Sequence, residues 1–295
     1  MKRTVLTALG FVLFVASQAT AIVTTAPPTY SRADLDRIVS PIALYPDPLL
    51  AQVLSAATYS DQIPDAARWA DEHHYLSGNA LAAAIQEDQV PWDASVQALL
   101  PFPSVLDRMA SDMRWTEELG NAYLGQQPQV MDAVQDMRAR AADYGYLRSN
   151  AQIVVRRGPF IEIVPVNPDY IVVPYYDPVI VYARPRPGFV IGSAIRFGFG
   201  VTLGAVFSPW GWHSSRFGWG AHQVFINNAP WRRTWANRLT YVHPYAVPHY
   251  DRAVTHRVEQ HERIQRSAVE RERQRTGQAS REEHHSSRDH HERKP

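Results

Sequence analysis

The sequence predicts an α+β fold: an N-terminal bundle of short helices, a small antiparallel β-meander, a Gly/Trp-rich apolar segment and a disordered charged tail. Three observations predict it. Apolar residues recur at helical spacing through residues 31–148, in a run divided by prolines. Residues 149–186 switch to β-branched and aromatic runs set between Gly-Pro, Asn-Pro and Asp-Pro turns. After Val269 apolar residues nearly vanish and charges of both signs mix.

The elements follow in chain order. Lys2 and Arg3 precede an apolar run from Val5 to Ala16, and Ala19-Thr20-Ala21 supplies the small-x-small pattern of a cleavage site. Residues 1–21 therefore read as a signal peptide removed before Ile22, which places the mature protein in the periplasm or cell envelope. An uncleaved anchor is the alternative, but the run is shorter than the ~20 residues a spanning helix needs. No cysteine occurs anywhere, so neither a lipid-modified cysteine nor a disulfide exists and the fold must rest on an ordinary core. Residues 22–30 form a Pro/Thr linker.

Within the helical zone, Leu50, Val53, Leu54 and Ala57 mark one face of a helix, with Asp47 as its expected N-cap and Pro48 at its first position. Similar stripes follow Asn79, Asp93, Thr116 and Pro128. Trp69, Trp92 and Trp115 are expected to pack the core. In the strand zone, Ile161 and Ile163 flank Glu162, and Tyr170 to Val173 and Val179 to Tyr182 read as further strands. Residues 187–250 then carry Gly188 to Phe207, a glycine-rich run of about membrane-spanning length. Arg196 near its middle argues against a span, leaving a buried or self-associating hairpin or a surface-docking segment. Trp210, Trp212, Trp219, Trp231 and Trp235 follow, with core or interface packing as the default reading. The capped, amphipathic helices alone suffice in this reading for an independent fold. The last zone, 251–295, is the disordered tail.

From Leu35 to Leu54 the chain reads LDRIVSPIALYPDPLLAQVL, followed by AARW at Ala66 to Trp69, PWDASVQAL at Pro91 to Leu99 and FPSVL at Phe102 to Leu106. Trp115-Thr116, Leu119-Gly120, QQPQVMDAVQ at Gln126 to Gln135 and the block from Asn167-Pro168 to Tyr182 continue the pattern. Over Leu35 to about Tyr182 the sequence resembles the exported bacterial proteins of the domain-of-unknown-function 3300 family. The resemblance implies a cell-envelope protein and carries no activity and no catalytic residue.

Chemistry-bearing motifs are sparse. The chain has no Gly-rich phosphate loop, no G-x-S-x-G elbow and no H-E-x-x-H, and Glu117 and Glu118 are adjacent and diverge on a helix. His73-His74 reads as a solvated helix terminus. Net charge of +1 argues against a nucleic-acid binder. No cofactor is expected. The expected function is that of a non-enzymatic envelope protein binding another envelope component, whether protein, glycan or membrane surface, with membrane association through Gly188 to Trp235. Tyr170, Tyr175, Tyr176 and Tyr182 are the candidate contact residues. A cell-wall-acting enzyme with two carboxylates in unlike environments is one alternative. The other is metal sequestration by His284, His285, His290 and His291 in the tail.

Intact-mass measurement on the protein recovered from cell envelopes should give a chain starting at Ile22; a full-length species in the cytoplasm would contradict the export reading.

Overall fold

The computed structural model describes residues 26–185 and 194–244. The predicted signal segment, the start of the predicted linker and the tail with His284, His285, His290 and His291 lie outside the described residues.

Eight helices come first: α1 (Arg32–Val39), α2 (Asp47–Ala57), α3 (Ile63–Glu72), α4 (Gly78–Glu87), α5 (Ala94–Gln97), α6 (Pro103–Ser111), α7 (Met113–Gly125) and α8 (Gln127–Asp143). Strands β1 (Ile153–Arg157), β2 (Ile161–Pro165), β3 (Tyr170–Ile171) and β4 (Pro174–Tyr176) follow, then the one-turn α9 (Pro178–Val181). Strands β5 (Ile195–Phe197), β6 (Val201–Thr202), β7 (Arg216–Gly218), β8 (Gln223–Ile226) and β9 (Ala229–Pro230) complete the elements of the described residues, with 3-10 turns at Ala205–Trp210 and Trp219–Ala221. The mixed helix-then-strand architecture is the predicted α+β class.

Local chemistry sets the helix ends. Ser31 and Asp34 close a reciprocal capping box at α1. Asp93 accepts the Ser95 N–H and Asp112 the Trp115 N–H, capping α5 and α7, while prolines open α3, α6 and α8. Three expectations need correction. Asp47 makes no cap: α2 begins at Asp47 itself, and its carboxylate turns inward. The run from Val179 to Tyr182 is helical over Pro178–Val181, because the Asp177 carboxylate accepts the Val179 N–H and Pro178 pre-sets the first turn, overriding β-propensity. Trp115 is buried as expected, but Trp69 and Trp92 are only half-buried and pack against the rim of the core.

All strand pairs are antiparallel. β1 and β2 form a hairpin with Val155 opposite Ile163. β3 and β4 do not continue this meander. Instead β3 pairs with β6 and β4 with β5, so their partners come from the glycine-rich segment. A fourth sheet orders β7-β8-β9, its second turn made by Asn227 and Asn228, both at positive φ as a two-residue type I′ turn requires.

The Gly/Trp-rich segment is part of the helical core and not an appendage to it. Ten residues of α2, from Asp47 to Ala57, are buried, so this helix is enclosed on every side and not only along its predicted stripe. Its Gln52 donates to the Trp210 carbonyl (3.0 Å) and to Ser215 Oγ (3.2 Å). Trp210 Nε1 donates to Gln97 Oε1 (2.9 Å) and Trp212 Nε1 to the Ala98 carbonyl (3.0 Å). Trp231 meets Tyr59 edge-on. On the opposite side α7 crosses α2 at Gly120, where a Cβ would stand 2.0 Å from the Ala57 carbonyl oxygen. Removing residues 187–235 would thus open the core, contrary to the expectation that the helices fold alone. Residues 195–197 and 201–202 are strands, so Gly188 to Phe207 is not one helix; among the described residues no helix is long and apolar enough to cross a membrane.

At the centre sits one buried ion pair. Arg138 Nη1 lies 2.7 Å from Asp47 Oδ1, with the arginine side chain fully buried. The guanidinium also donates to the carbonyls of Ala43 (2.8 Å), Tyr45 (3.0 Å) and Ile161 (2.8 Å). Asp47 accepts from the Ile163 N–H (3.4 Å) and Trp219 Nε1 (3.3 Å), and the Trp219 ring lies 5.0 Å from the Arg138 guanidinium. Burial is the largest influence on the Asp47 carboxyl and pushes its pKa up; the guanidinium and the donated hydrogen bonds act the other way. The C-terminal strap, residues 229–244, is pinned by a second set. Arg233 stacks on Tyr59 at 3.5 Å and donates to Thr58, and His243 is buried with both ring nitrogens engaged.

Arg138→Ala should destabilise the fold by about 3–5 kcal/mol, since it strands a buried carboxylate. Arg138→Met with Asp47→Leu should not restore stability, because three carbonyls still lose their donor; recovery to wild type in chemical denaturation would contradict the hub role. His243 supplies a pH signature. Its Nε2 lies 2.9 Å from the Ile226 carbonyl, to which it can only donate, and its Nδ1 lies 2.8 Å from Tyr241 Oη. Burial, the leading cause, lowers its pKa below the ordinary 6.5. The unfolded chain therefore takes up the proton first, and stability falls as pH drops below about 6.5 until the folded value is passed. Denaturation midpoints between pH 7.5 and 5 should decline less steeply in His243→Gln than in wild type; parallel slopes would disprove the assignment.

Candidate functional site

The four predicted tyrosines separate into two pairs. Tyr176 and Tyr182 turn inward. Tyr176 Oη donates to the Ser40 carbonyl (2.9 Å) and accepts from the Leu44 N–H (3.2 Å), and Tyr182 Oη donates to the same Ser40 carbonyl (3.0 Å). Their rings meet edge-on at 6.2 Å, and burial raises both phenol pKa values. They pin β4 and α9 to the segment joining α1 and α2, so they serve the fold.

Tyr170 and Tyr175 turn outward. They lie on β3 and β4, whose register with β5 and β6 is broken in the middle. Ile171 faces Val201 and Pro174 faces Phe197, so Val172 and Val173 stand against Gly198, Phe199 and Gly200. The extra residue makes a bulge. Val172 and Val173 take the buried side, and Phe199 is thrown out of the ribbon, 101 % exposed. The tyrosine rings fill the space beside it. A Cβ at Gly200 would stand 2.3 Å from Tyr170 Cζ, and one at Gly198 would stand 2.8 Å from Tyr175 Cε2. Tyr170 Oη also accepts the Gly200 N–H at 2.9 Å. Each ring is seated over a glycine, and the result is an aromatic ridge, Tyr170–Phe199–Tyr175, on a ribbon held from behind by its buried residues.

The chain runs on from β4 into α9, which leaves Val179 (80 % exposed) and Ile180 in solvent. Arg196 stands directly across from Tyr175 and is exposed. Phe199 and Arg196 are the residues that tyrosine-based reasoning missed; the signal was Gly198-Phe199-Gly200, a lone large side chain between two positions with none. Of the tryptophans of the same segment, Trp210, Trp212, Trp219 and Trp231 are buried and Trp235 is half-buried, and Phe199 is the exposed large apolar side chain among residues 194–235.

Other concavities offer less. One of about 180 Å³ beside α1 and α8 is lined by Tyr30, Arg32, Asp132 and Asp136 among others, and its charges are paired, Arg32 with Asp136 and Asp132 with His222 (2.8 Å). No Ser or Thr lines it. One of about 190 Å³ near Leu44 and Phe197 includes Ser149 and Asn150, whose side chains accept the N–H groups of Val155, Gln152 and Ile153 and so organise β1. Both are smaller than the roughly 300–1,000 Å³ usual for ligand pockets. His73 and His74 bond backbone carbonyls of Trp69 and Asp71 at the end of α3, and His73 stacks on Trp69 at 3.9 Å. Among the described residues no three His, Asp or Glu side chains are grouped to hold a metal.

The chain is 31 % identical over 233 residues to "Uncharacterized protein YacH" of Escherichia coli (strain K12), an alignment covering 62 % of this chain and 37 % of that protein. The chain thus spans well under half of that relative's length. No solved structure matches. Residues 31–285 match the family described as "Protein of unknown function (DUF3300)", a match that takes in the helices, the ribbon and the Gly/Trp-rich segment together. The protein belongs to the DUF3300 family.

Proposed function

We propose that the protein is a non-enzymatic cell-envelope component that docks another envelope component through the Tyr170–Phe199–Tyr175 ridge. The observation that carries this reading is the complete exposure of Phe199 on a bulge whose flanking tyrosines are seated in place. An apolar ring in water gains nothing for the folded chain, whereas burying it against a partner contributes about 1.5–3 kcal/mol. Rigid aromatic side chains lose little conformational freedom on binding, which suits Phe and Tyr to this use. The signal-like N-terminus supports the envelope setting.

Protein recovered from cells, immobilised and exposed to envelope extracts and to intact envelope fragments, should retain material that Phe199→Ser with Tyr175→Ser releases. Thermal unfolding should be unchanged in Phe199→Ser alone, whose side chain is fully exposed, so loss of retention in that single variant is not loss of fold. Equal retention by wild type and variant would overturn the ridge as the docking surface.

A further inference from the structure

The composition of the ridge and its borders identifies the kind of surface it meets. Phe199 projects from the ribbon and Tyr170 and Tyr175 lie lower on either side, with Val179 and Ile180 exposed where the ribbon leads into α9. An apolar tip with amphipathic phenols set behind it matches the gradient at a bilayer surface, where acyl chains give way to headgroups and water.

The charges on the ribbon point the same way. Arg196 faces Tyr175 across the ladder, and Arg184 is exposed just beyond α9; neither has an ion-pair partner among the described residues. Two carboxylates border the ribbon at its ends and keep their charge. Asp177 caps α9 through the Val179 N–H at 2.8 Å, and Asp169 lies 3.4 Å from His213 Nδ1. The outward positions of β3 to β6 between Thr202 and Arg196 carry no acidic residue. Unpaired cations beside an apolar tip complement an anionic headgroup layer.

We infer that the Tyr170–Phe199–Tyr175 ridge seats on an anionic lipid surface, with Phe199 entering the acyl boundary and Arg196 and Arg184 meeting the headgroup phosphates. This deepens the docking reading and rests on it. The binding is peripheral and reversible, since one apolar tip and two cations make a weak anchor. It also narrows the membrane contact predicted for Gly188 to Trp235 to Phe199 and Arg196 within that segment.

Co-sedimentation with vesicles tests it, using protein recovered from cells and vesicles of phosphatidylcholine alone or mixed with phosphatidylglycerol. Wild type should partition onto the anionic vesicles and release as salt rises. Phe199→Ser should lower that partitioning about tenfold. Arg196→Gln should lower it about fivefold on anionic vesicles and leave phosphatidylcholine vesicles unaffected. Leu239→Ser, an exposed apolar position elsewhere on the surface, should behave as wild type. If Phe199→Ser binds vesicles as wild type does, or if no vesicle is bound, the lipid assignment falls, and docking stands where envelope extracts still yield a Phe199-dependent protein or glycan partner. If neither vesicles nor envelope material respond to Phe199, both fall.

Discussion

Everything in this fold leans on the buried contact between Arg138 and Asp47. The two residues come from α8 and the start of α2, and the guanidinium reaches the carbonyls of Ala43, Tyr45 and Ile161 at the same time. Four parts of the chain therefore meet at one cation: the turn before α2, α2 itself, α8 and β2. Trp219 adds a fifth by donating to Asp47 from the C-terminal side. A buried ion pair is seldom a large net source of stability, because desolvation offsets its attraction. Its value here is directional: a planar group with fixed donors admits few arrangements of its acceptors, so the helical half and the strand half are held in one relative placement.

That placement sets the ridge. β2 is fixed through Ile161 and Ile163, and β4 through Tyr176 and Ser40, both within a few residues of the Asp47 turn. With one side of the ribbon anchored, the bulge at Gly198–Gly200 can turn only outward. Phe199 is thus exposed by construction, as the displaced residue of a ladder whose inner positions are already filled by Val172 and Val173. The rigid backing also distinguishes the ridge from a floppy apolar loop, since a docking surface whose rings are already seated loses little freedom when it binds.

Much of the architecture was legible in the sequence and some could not be. Helical spacing around Leu50, Val53 and Leu54, and the capping signals at Asp93 and Pro128, are local and lie within a few residues of what they predict. Asp47 misled because an Asp-Pro pair before an apolar run looks like a cap, while its true partner is 91 positions away at Arg138. Val179 to Tyr182 misled because β-propensity is weaker than a well-formed Asp-Pro helix start. The tyrosines show the same limit: Tyr175 and Tyr176 are neighbours of identical chemistry, and only strand alternation, fixed by pairing with β5, sends one to solvent and the other to Ser40. Phe199 needed knowledge of a bulge, which is a property of two strands and of neither alone.

The enclosure of α2 has a consequence for how the molecule comes into being. Its covering groups sit far down the chain: Gln52 reaches Trp210 and Ser215 across 158 and 163 positions, and Arg233 closes on Thr58 across 175. A helix so apolar on all sides has no stable place until those residues arrive, so closure waits for nearly the whole described chain to be available. Such non-local closure slows folding and leaves early intermediates with sticky, unsatisfied surfaces. Any product ending before the 3-10 turn at Ala205–Trp210 would display the back of α2 and invite chaperone capture or proteolysis. Were the chain exported as proposed, the same lateness would be an advantage, because an unfinished core resists premature compaction.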